Sequence, residues 1–518
     1  MRQSAGAHSA TAGEGMQRGT TTMENLPKRR FEIVLSELPK TVQDALTVTR
    51  KLGFRYLWVD SLCIVQDDSH DWAKEVGKMA EVYMGASVTI SACSASNAEQ
   101  DFLYRRRLDD VLGNKYRPQL LKFRYQCLPP EATQPENMAT GWLYVATWGN
   151  SRCEHPIKER AWTLQEFLLS RRLLLYCASR IEWFCGGAWT NEHDTRICSA
   201  GRTLLPHLTW SEVIREYTGR ASSRSDDRLA ALGAVARQFA LLQRQSRQLP
   251  PSPPPSTAEL AKDYLAGLWR DDLFVHLGWR TLYVRPLPRH PWRAPSWSWA
   301  AVDSKVAMML PYMYEDGEPP PPPPPPPRLL ADEIVPAFVE NPFGAVAKAV
   351  LRIEAPLLRV RYYYLPKVAA EAGGELKLDG VIVVLRDQSG AADEEGTGVV
   401  AGEVLGQGEG SVASGDAALE GDREIVRTCI VLDALDSLPF LTVADASERR
   451  EQVAELWLMR LPNFVYLVLV EVGEGVFRRC GALYLNVLFW EAAEPKTTER
   501  AMLQRAMNRV PWRTFDFV

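Results

Sequence analysis

Long apolar runs are missing from this 518-residue chain. The longest, Phe464 to Val470, is far too short to cross a bilayer, so no membrane span is expected. The opening residues to about Thr22 are rich in Ser, Ala, Gly and Thr, and lack an apolar core of signal-peptide length. A cytoplasmic protein with a disordered start is the resulting expectation. Basic stripes with interleaved aromatics are also missing, and the formal net charge is −4, which argues against a nucleic-acid partner. The nine cysteines are an odd number and include no CxxC pair; Cys177, Cys185 and Cys198 stand apart, and Cys153 has only His155 beside it. Those spacings fit a reducing compartment and give no zinc site and no disulfide framework. No glycine-rich phosphate loop is present, which excludes a nucleotide-switch ATPase, and no repeat of fixed period appears. No resident metal or cofactor is expected.

At this length two or three folded units are expected. Leu38 to Leu46 opens a helix, with Thr41 as its N-cap, Gly53 as its stop and Val42, Ala45, Leu46 and Thr49 on one face. Arg55 to Val59 reads as a short strand. Asp71 begins a second helix, with Trp72, Val76, Met79 and Tyr83 along one stripe and Gly85 closing it; Ser87 to Cys93 then alternates as a strand. That helix–strand–helix–strand order predicts an α/β sheet with crossover helices. Residues 104–150 give no clear pattern. Glu159 to Ser170 reads as a helix, and Arg172 to Tyr176 and Ile181 to Cys185 as paired strands.

A helical middle follows, with periodicity over Trp210 to Thr218 and Asp226 to Leu242, and a further helix over Asp263 to Trp269. Leu249 to Ser256 is a short extended linker, and Ala294 to Trp299 a rigid aromatic strand or turn. The uninterrupted prolines Pro319 to Pro327 have no backbone donors and a fixed φ, so they form a polyproline II rod. The rod serves as a spacer or as a ligand for an SH3- or WW-type partner. Beyond it the chain reads as strands: Val350 to Ile353, Leu358 to Tyr364, Gly380 to Leu385, Ile425 to Leu432, Tyr466 to Val472 and Cys480 to Asn486. The interposed Ser389 to Asp422 carries no Lys or Arg and is expected to be disordered.

The densest chemistry lies in Tyr56 to Asp68, where an apolar strand runs into Asp60, Ser61, Gln66, Asp67 and Asp68. This block, with Leu38-Pro39-Lys40-Thr41 before it and Asp71-Trp72, Val82-Tyr83 and Thr89-Ile90 after it, resembles the opening of the fungal HET (heterokaryon incompatibility) domain. Arg160-Ala161-Trp162-Thr163-Leu164-Gln165-Glu166 resembles a second block of that family. Tyr217-Thr218, Arg220, Asp227 to Ala231, Gly267-Leu268-Trp269 and Pro295 to Trp299 resemble its usual downstream flank. Family members open on a strand block of the form Tyr-x-x-Leu-Ser-Tyr-x-Trp-Gly. Here only Phe31 to Ser36 stands before Leu38, and Trp148-Gly149 is out of place. Either the start is truncated or mis-joined, or the first strand has been lost.

The resemblance implies a TIR-like α/β domain over residues 31–190 after a disordered 1–30. It is followed by a helical flank (191–310), a proline-rich linker (311–330) and a β-rich region (331–518) interrupted at 389–422. It also implies a sensor or effector of fungal nonself recognition and programmed cell death, acting through a protein partner or self-association. The alternatives are a TIR-like NAD(P) glycohydrolase, with NAD as substrate, and a degenerate paralogue with neither activity.

Asp60 follows a strand's carboxyl end, where open α/β sheets place ligand crevices. It accepts a ribose hydroxyl or a partner amide, or else simply forms a turn. Ser61, Gln66 and Asp67 line the same crevice or are plain loop residues. Cys63, between Leu62 and Ile64 and with no His in the block, reads as a small core residue rather than a nucleophile. Glu166, after Trp162 and Gln165, is the acid/base candidate, able to stabilise an oxocarbenium-like charge. The competing reading pairs it with Arg160 or Arg172 as a brace. Trp58 and Trp162 are core residues or a stacking surface.

Overall fold

The computed structural model describes residues 4–7, 19–104, 121–127, 139–145, 159–178, 180–185, 188–191, 194–198, 208–222, 224–247, 254–282, 292–308, 325–364, 377–384, 425–432, 452–462, 465–484 and 507–518. The chain divides into two compact units, Met1–His207 and Leu208–Val518.

The first unit begins with β1 (Ser4–Ala7), α1 (Leu26–Phe31), α2 (Lys40–Lys51), β2 (Tyr56–Val59) and α3 (Asp60–Cys63). It continues with α4 (Ser69–Gly77), α5 (Met79–Gly85), β3 (Val88–Ser91), β4 (Leu121–Cys127) and β5 (Ala139–Val145). Then come α6 (Trp162–Leu169), β6 (Arg172–Tyr176), β7 (Ile181–Cys185), β8 (Ala188–Asn191) and β9 (Asp194–Cys198). A seven-stranded sheet runs in the order β2-β1-β3-β6-β7-β8-β9. Its first four strands are parallel and the rest antiparallel, while β4 and β5 form a separate hairpin. Helix α2 forms because Val42, Ala45 and Val48 recur at helical spacing. Together with Leu38 they bury against Val59, Val88 and Ile90 of the sheet.

A strand stands ahead of α2 where the start was read as truncated, mis-joined or without its first strand. The Ser4–Ala7 backbone lies between β2 and β3, with Ala5 registered against Leu57 and Val88. Ser-Ala-Gly-Ala carries no β-branched or aromatic residue, so nothing local marks it as a strand; two flanking backbones define it. Residues 19–31 are likewise structured where disorder was expected, with Thr21 buried and α1 formed. Helix α2 starts from an extended Pro39 rather than a Thr41 cap. The Thr41 hydroxyl instead donates to the Ala98 carbonyl at 3.0 Å. The predicted helix from Asp71 begins at Ser69 under an Asp68 cap and breaks at Lys78.

In the second unit α7 (Trp210–Thr218), α8 (Ala230–Ser246) and α9 (Thr257–Ala261) precede β10 (Tyr264–Leu265), β11 (Leu268–Trp269), α10 (Leu273–His276), β12 (Trp279–Thr281) and β13 (Val306–Met308). Asp263 to Trp269 is therefore a tight hairpin, not a helix. Gly267 at φ +102° turns the chain, and a Cβ there would meet Trp299 Nε1 at 2.7 Å. The remaining strands are β14 (Arg328–Pro336), β15 (Val346–Tyr364), β16 (Lys377–Val384), β17 (Ile425–Leu432), β18 (Gln452–Arg460), β19 (Val465–Gly473), β20 (Val476–Tyr484) and β21 (Trp512–Phe517). The antiparallel circuit β15-β16-β17-β20-β19-β18 closes on β15, giving a β-barrel. The two strands expected at 350–364 are one continuous β15. Pro356 is accommodated there because β21 registers against it with Trp512 at the edge of the pairing. Residues 309–324, which hold most of the proline rod, and 389–422 lie outside the described residues, as do 249–253 of the shorter linker.

Candidate functional site

Helix α3 starts directly from the carboxyl end of β2, so Asp60 is delivered to the end of the parallel sheet. Its Oδ1 accepts from the Ser61 N–H at 2.7 Å. Removal from water raises the Asp60 carboxyl above its ordinary pKa, opposed by the Ser61 N–H and by the nearby Arg160 guanidinium. Tyr83 on α5 is fully buried beside it, and the Trp58 ring stands edge-on to Tyr83 at 5.8 Å. Glu166 on α6 is buried and accepts a hydrogen bond from the Tyr83 phenol. Burial above all, then the negative fields of Glu166 and Asp60, pushes the Tyr83 pKa well above that of a free phenol. Tyr83 is therefore fixed as a proton donor and the carboxylate as its acceptor.

Asp60, Tyr83, Arg160 and Glu166 thus share one electrostatic neighbourhood, although 106 residues separate Asp60 from Glu166 in sequence. Their elements are locked from behind. The Ser170 hydroxyl donates to the Glu166 carbonyl at 2.6 Å and lies within hydrogen-bond distance of the Thr89 hydroxyl at 2.7 Å, fixing the end of α6 to β3. Gln165 is wholly buried, with its amide nitrogen 2.9 Å from Met79 Sδ on α5. Trp162 meets Trp72 edge-on at 6.1 Å, so both tryptophans brace α6 against α4 and stay half-buried.

The other loop residues do different work. Gln66 donates to the Asp60 and Ile64 carbonyls at 3.3 and 3.1 Å and closes the loop on itself. Asp67 Oδ1 accepts from the Met23 N–H at 2.8 Å, and the Ser61 carbonyl from the Thr21 N–H at 2.9 Å. Thr21 also donates its hydroxyl to the Leu62 carbonyl at 2.8 Å, so residues 21–23 run across the loop as a backbone strap. The sequence reading missed Thr21 because its surroundings read as disordered. It placed Tyr83 on an apolar stripe without asking where a buried hydroxyl would find its partner. That omission was the available signal.

Cys63 is a correction: on the single-turn α3 it is exposed, not core. Packing around its sulfur raises the thiol pKa, and the Asp60 and Glu75 carboxylates push the same way. Arg172 is turned toward the Ser87 carbonyl at 3.3 Å. Among the described residues no cluster of three His, Cys, Asp or Glu side chains could hold a metal ion, and no helix is long and apolar enough to cross a membrane.

The downstream blocks all fall in the second unit, where they build a core. Trp210 and Trp299 both donate to the Gly267 carbonyl, at 2.8 and 2.9 Å. Tyr217 donates to the Arg228 carbonyl at 2.7 Å, and Ser298 to the Ala266 carbonyl at 2.6 Å.

Against known families, residues 11–166 match the model described as Heterokaryon incompatibility protein (HET). That span contains both the Asp60 block and the Glu166 block. No curated protein and no solved structure matches the chain.

Proposed function

We infer from the HET domain carried at residues 11–166 that this chain acts in heterokaryon incompatibility, as a sensor or effector of nonself recognition that triggers cell death through protein association. The observation that supports association is the segment after the strap. Phe31 is 92% exposed at the end of α1, and Ile33 and Leu35 are exposed behind it, an apolar run that no described residue covers. A TIR-like domain is consistent with the parallel order β2-β1-β3-β6, an analogy at the level of fold.

A second reading rests on the convergence of Asp60, Tyr83, Arg160 and Glu166. In NAD(P) glycoside cleavage the bond from ribose C1′ to the nicotinamide nitrogen breaks, nicotinamide leaves with the electron pair, and water adds at C1′. A buried carboxylate held by a protonated phenol would stabilise the oxocarbenium-like charge, and Asp60 would accept a ribose hydroxyl. In this reading Trp58 is the stacking surface.

One experiment separates the two. The chain is expressed from an inducible promoter in a filamentous fungus, as wild type, Glu166→Gln and Phe31→Asp, with viability and cellular NAD both followed. Association predicts death at constant NAD, cancelled by Phe31→Asp and retained by Glu166→Gln. Glycohydrolysis predicts death with NAD loss, both cancelled by Glu166→Gln. Survival with the folded wild-type chain would sink both and leave an inactive paralogue.

A further inference from the structure

At the end of the parallel sheet opposite Asp60, the first unit holds an open groove of about 470 Å³. Its position follows from the way α2 covers the sheet. The helix ends at Lys51, and the chain returns through Leu52 and Phe54 to start β2. Val88 at the start of β3, Leu174 on β6 and Trp183 on β7 lie on the face that α2 packs, and Leu174 registers directly against Trp183. Leu174 and Trp183 are half-buried and, with Phe54, form the wall of the groove.

Among the described residues Arg172 is the one charged group in the lining, and no carboxylate lines the cavity. Arg172 stands at the rim, exposed, and gives one nitrogen to the Ser87 carbonyl at 3.3 Å. The acid nearest in sequence, Glu182 beside Trp183, is buried and taken by Arg180 at 2.6 Å. An apolar wall with an uncompensated guanidinium at its mouth favours a ligand that is apolar along its body and anionic at one end. The guanidinium fork matches a carboxylate, and the volume lies within the range of about 300–1,000 Å³ usual for small-molecule sites.

We propose that this groove is a binding site for a small monocarboxylic acid with an apolar body, its carboxylate on Arg172 and its chain against Phe54, Leu174 and Trp183. The site is separate from the Asp60–Glu166 crevice and does not depend on how that crevice is used.

The test is calorimetric titration of the full chain with decanoate below its micellar concentration, alongside decanol and decylamine. Saturable decanoate binding is expected, with decanol at least tenfold weaker and decylamine silent. Arg172→Gln should weaken decanoate about tenfold and leave decanol unchanged. Leu52→Glu, at an exposed wall position, should abolish decanoate binding without altering the circular dichroism melt. Equal affinity for decanoate and decanol, an unaffected Arg172→Gln, or non-saturable uptake would overturn the proposal. So would a groove closed by self-association, seen as concentration-dependent dimerisation lost in Leu52→Glu.

Discussion

The two units differ in what their buried ionisable groups face. In residues 1–207 the buried Glu166 and Tyr83 meet each other, with Asp60 and Arg160 alongside, so ionisable side chains share one field. In residues 208–518 the buried Arg228, Arg293 and Arg479 each donate to backbone carbonyls. Arg479 is fully buried, donates to the Leu277 and Trp279 carbonyls at 2.5 and 2.6 Å, and lies 3.6 Å over the Trp279 ring. Arg293 donates to the Ala300 carbonyl at 2.7 Å and pairs with Asp303 at 2.7 Å. A guanidinium that satisfies backbone carbonyls fixes loops in place. Carboxylates facing a phenol and a guanidinium leave ionisable groups in one field, and the fold bears their desolvation. Motif residues are found in both units, so a motif does not by itself mark a site.

Substitutions sharpen that contrast, beginning with the strongest. Arg479→Ala should destabilise the second unit by about 3–5 kcal/mol in chemical unfolding, because it strands two buried carbonyls and removes the cation from the Trp279 face. A loss below 1 kcal/mol would show the arginine to be incidental. Gly267→Ala, which combines a positive φ with a close approach to Trp299, should cost about 2–3 kcal/mol and lower the melting temperature of the same unit.

His276 should make that unit acid-sensitive. Burial lowers its pKa from 6.5 to about 4, and Asp272 opposes the shift only in part. The folded state therefore holds the neutral imidazole, and below pH 6.5 the unfolded state takes up the proton first. Stability is complete above pH 6.5, falls between 6.5 and about 4, and has lost about 2 kcal/mol by pH 5. Unfolding of wild type and His276→Leu at pH 7.5 and 5 should show a difference that grows with acid only in the wild type. The smallest effect belongs to the first unit. Asp60→Asn relieves a carboxylate whose charge burial disfavours, so stability at neutral pH should stay level or rise by up to about 1 kcal/mol. A clear loss would make Asp60 a structural cap.

Elements with local signals were legible in both units. The strands Arg172–Tyr176 and Ile181–Cys185 in the first unit and the helix Trp210–Thr218 in the second were read with their final bounds, since apolar spacing and their end residues agree. Strands 328–336, 452–460 and 512–517 were missed. The first alternates half-buried and exposed positions, and the last is held by pairing with β15 and β20. Asp263 to Trp269 misled because Asp-Tyr-Leu-Ala-Gly-Leu-Trp has helical composition, while Gly267 has to admit the Trp299 ring.

The residue types of the crevice, the family blocks and the β-rich character of the C-terminal half were fixed by the sequence itself, since motif identity and hydrophobic period are written residue by residue. Tertiary structure alone decided that Tyr83 holds Glu166, that Ser4–Ala7 enters the sheet and that β18 closes the barrel on β15. Each is a pairing between segments far apart in the chain. Such a partner is selected by packing and by satisfied hydrogen bonds in three dimensions, not by any preference of the residues beside it.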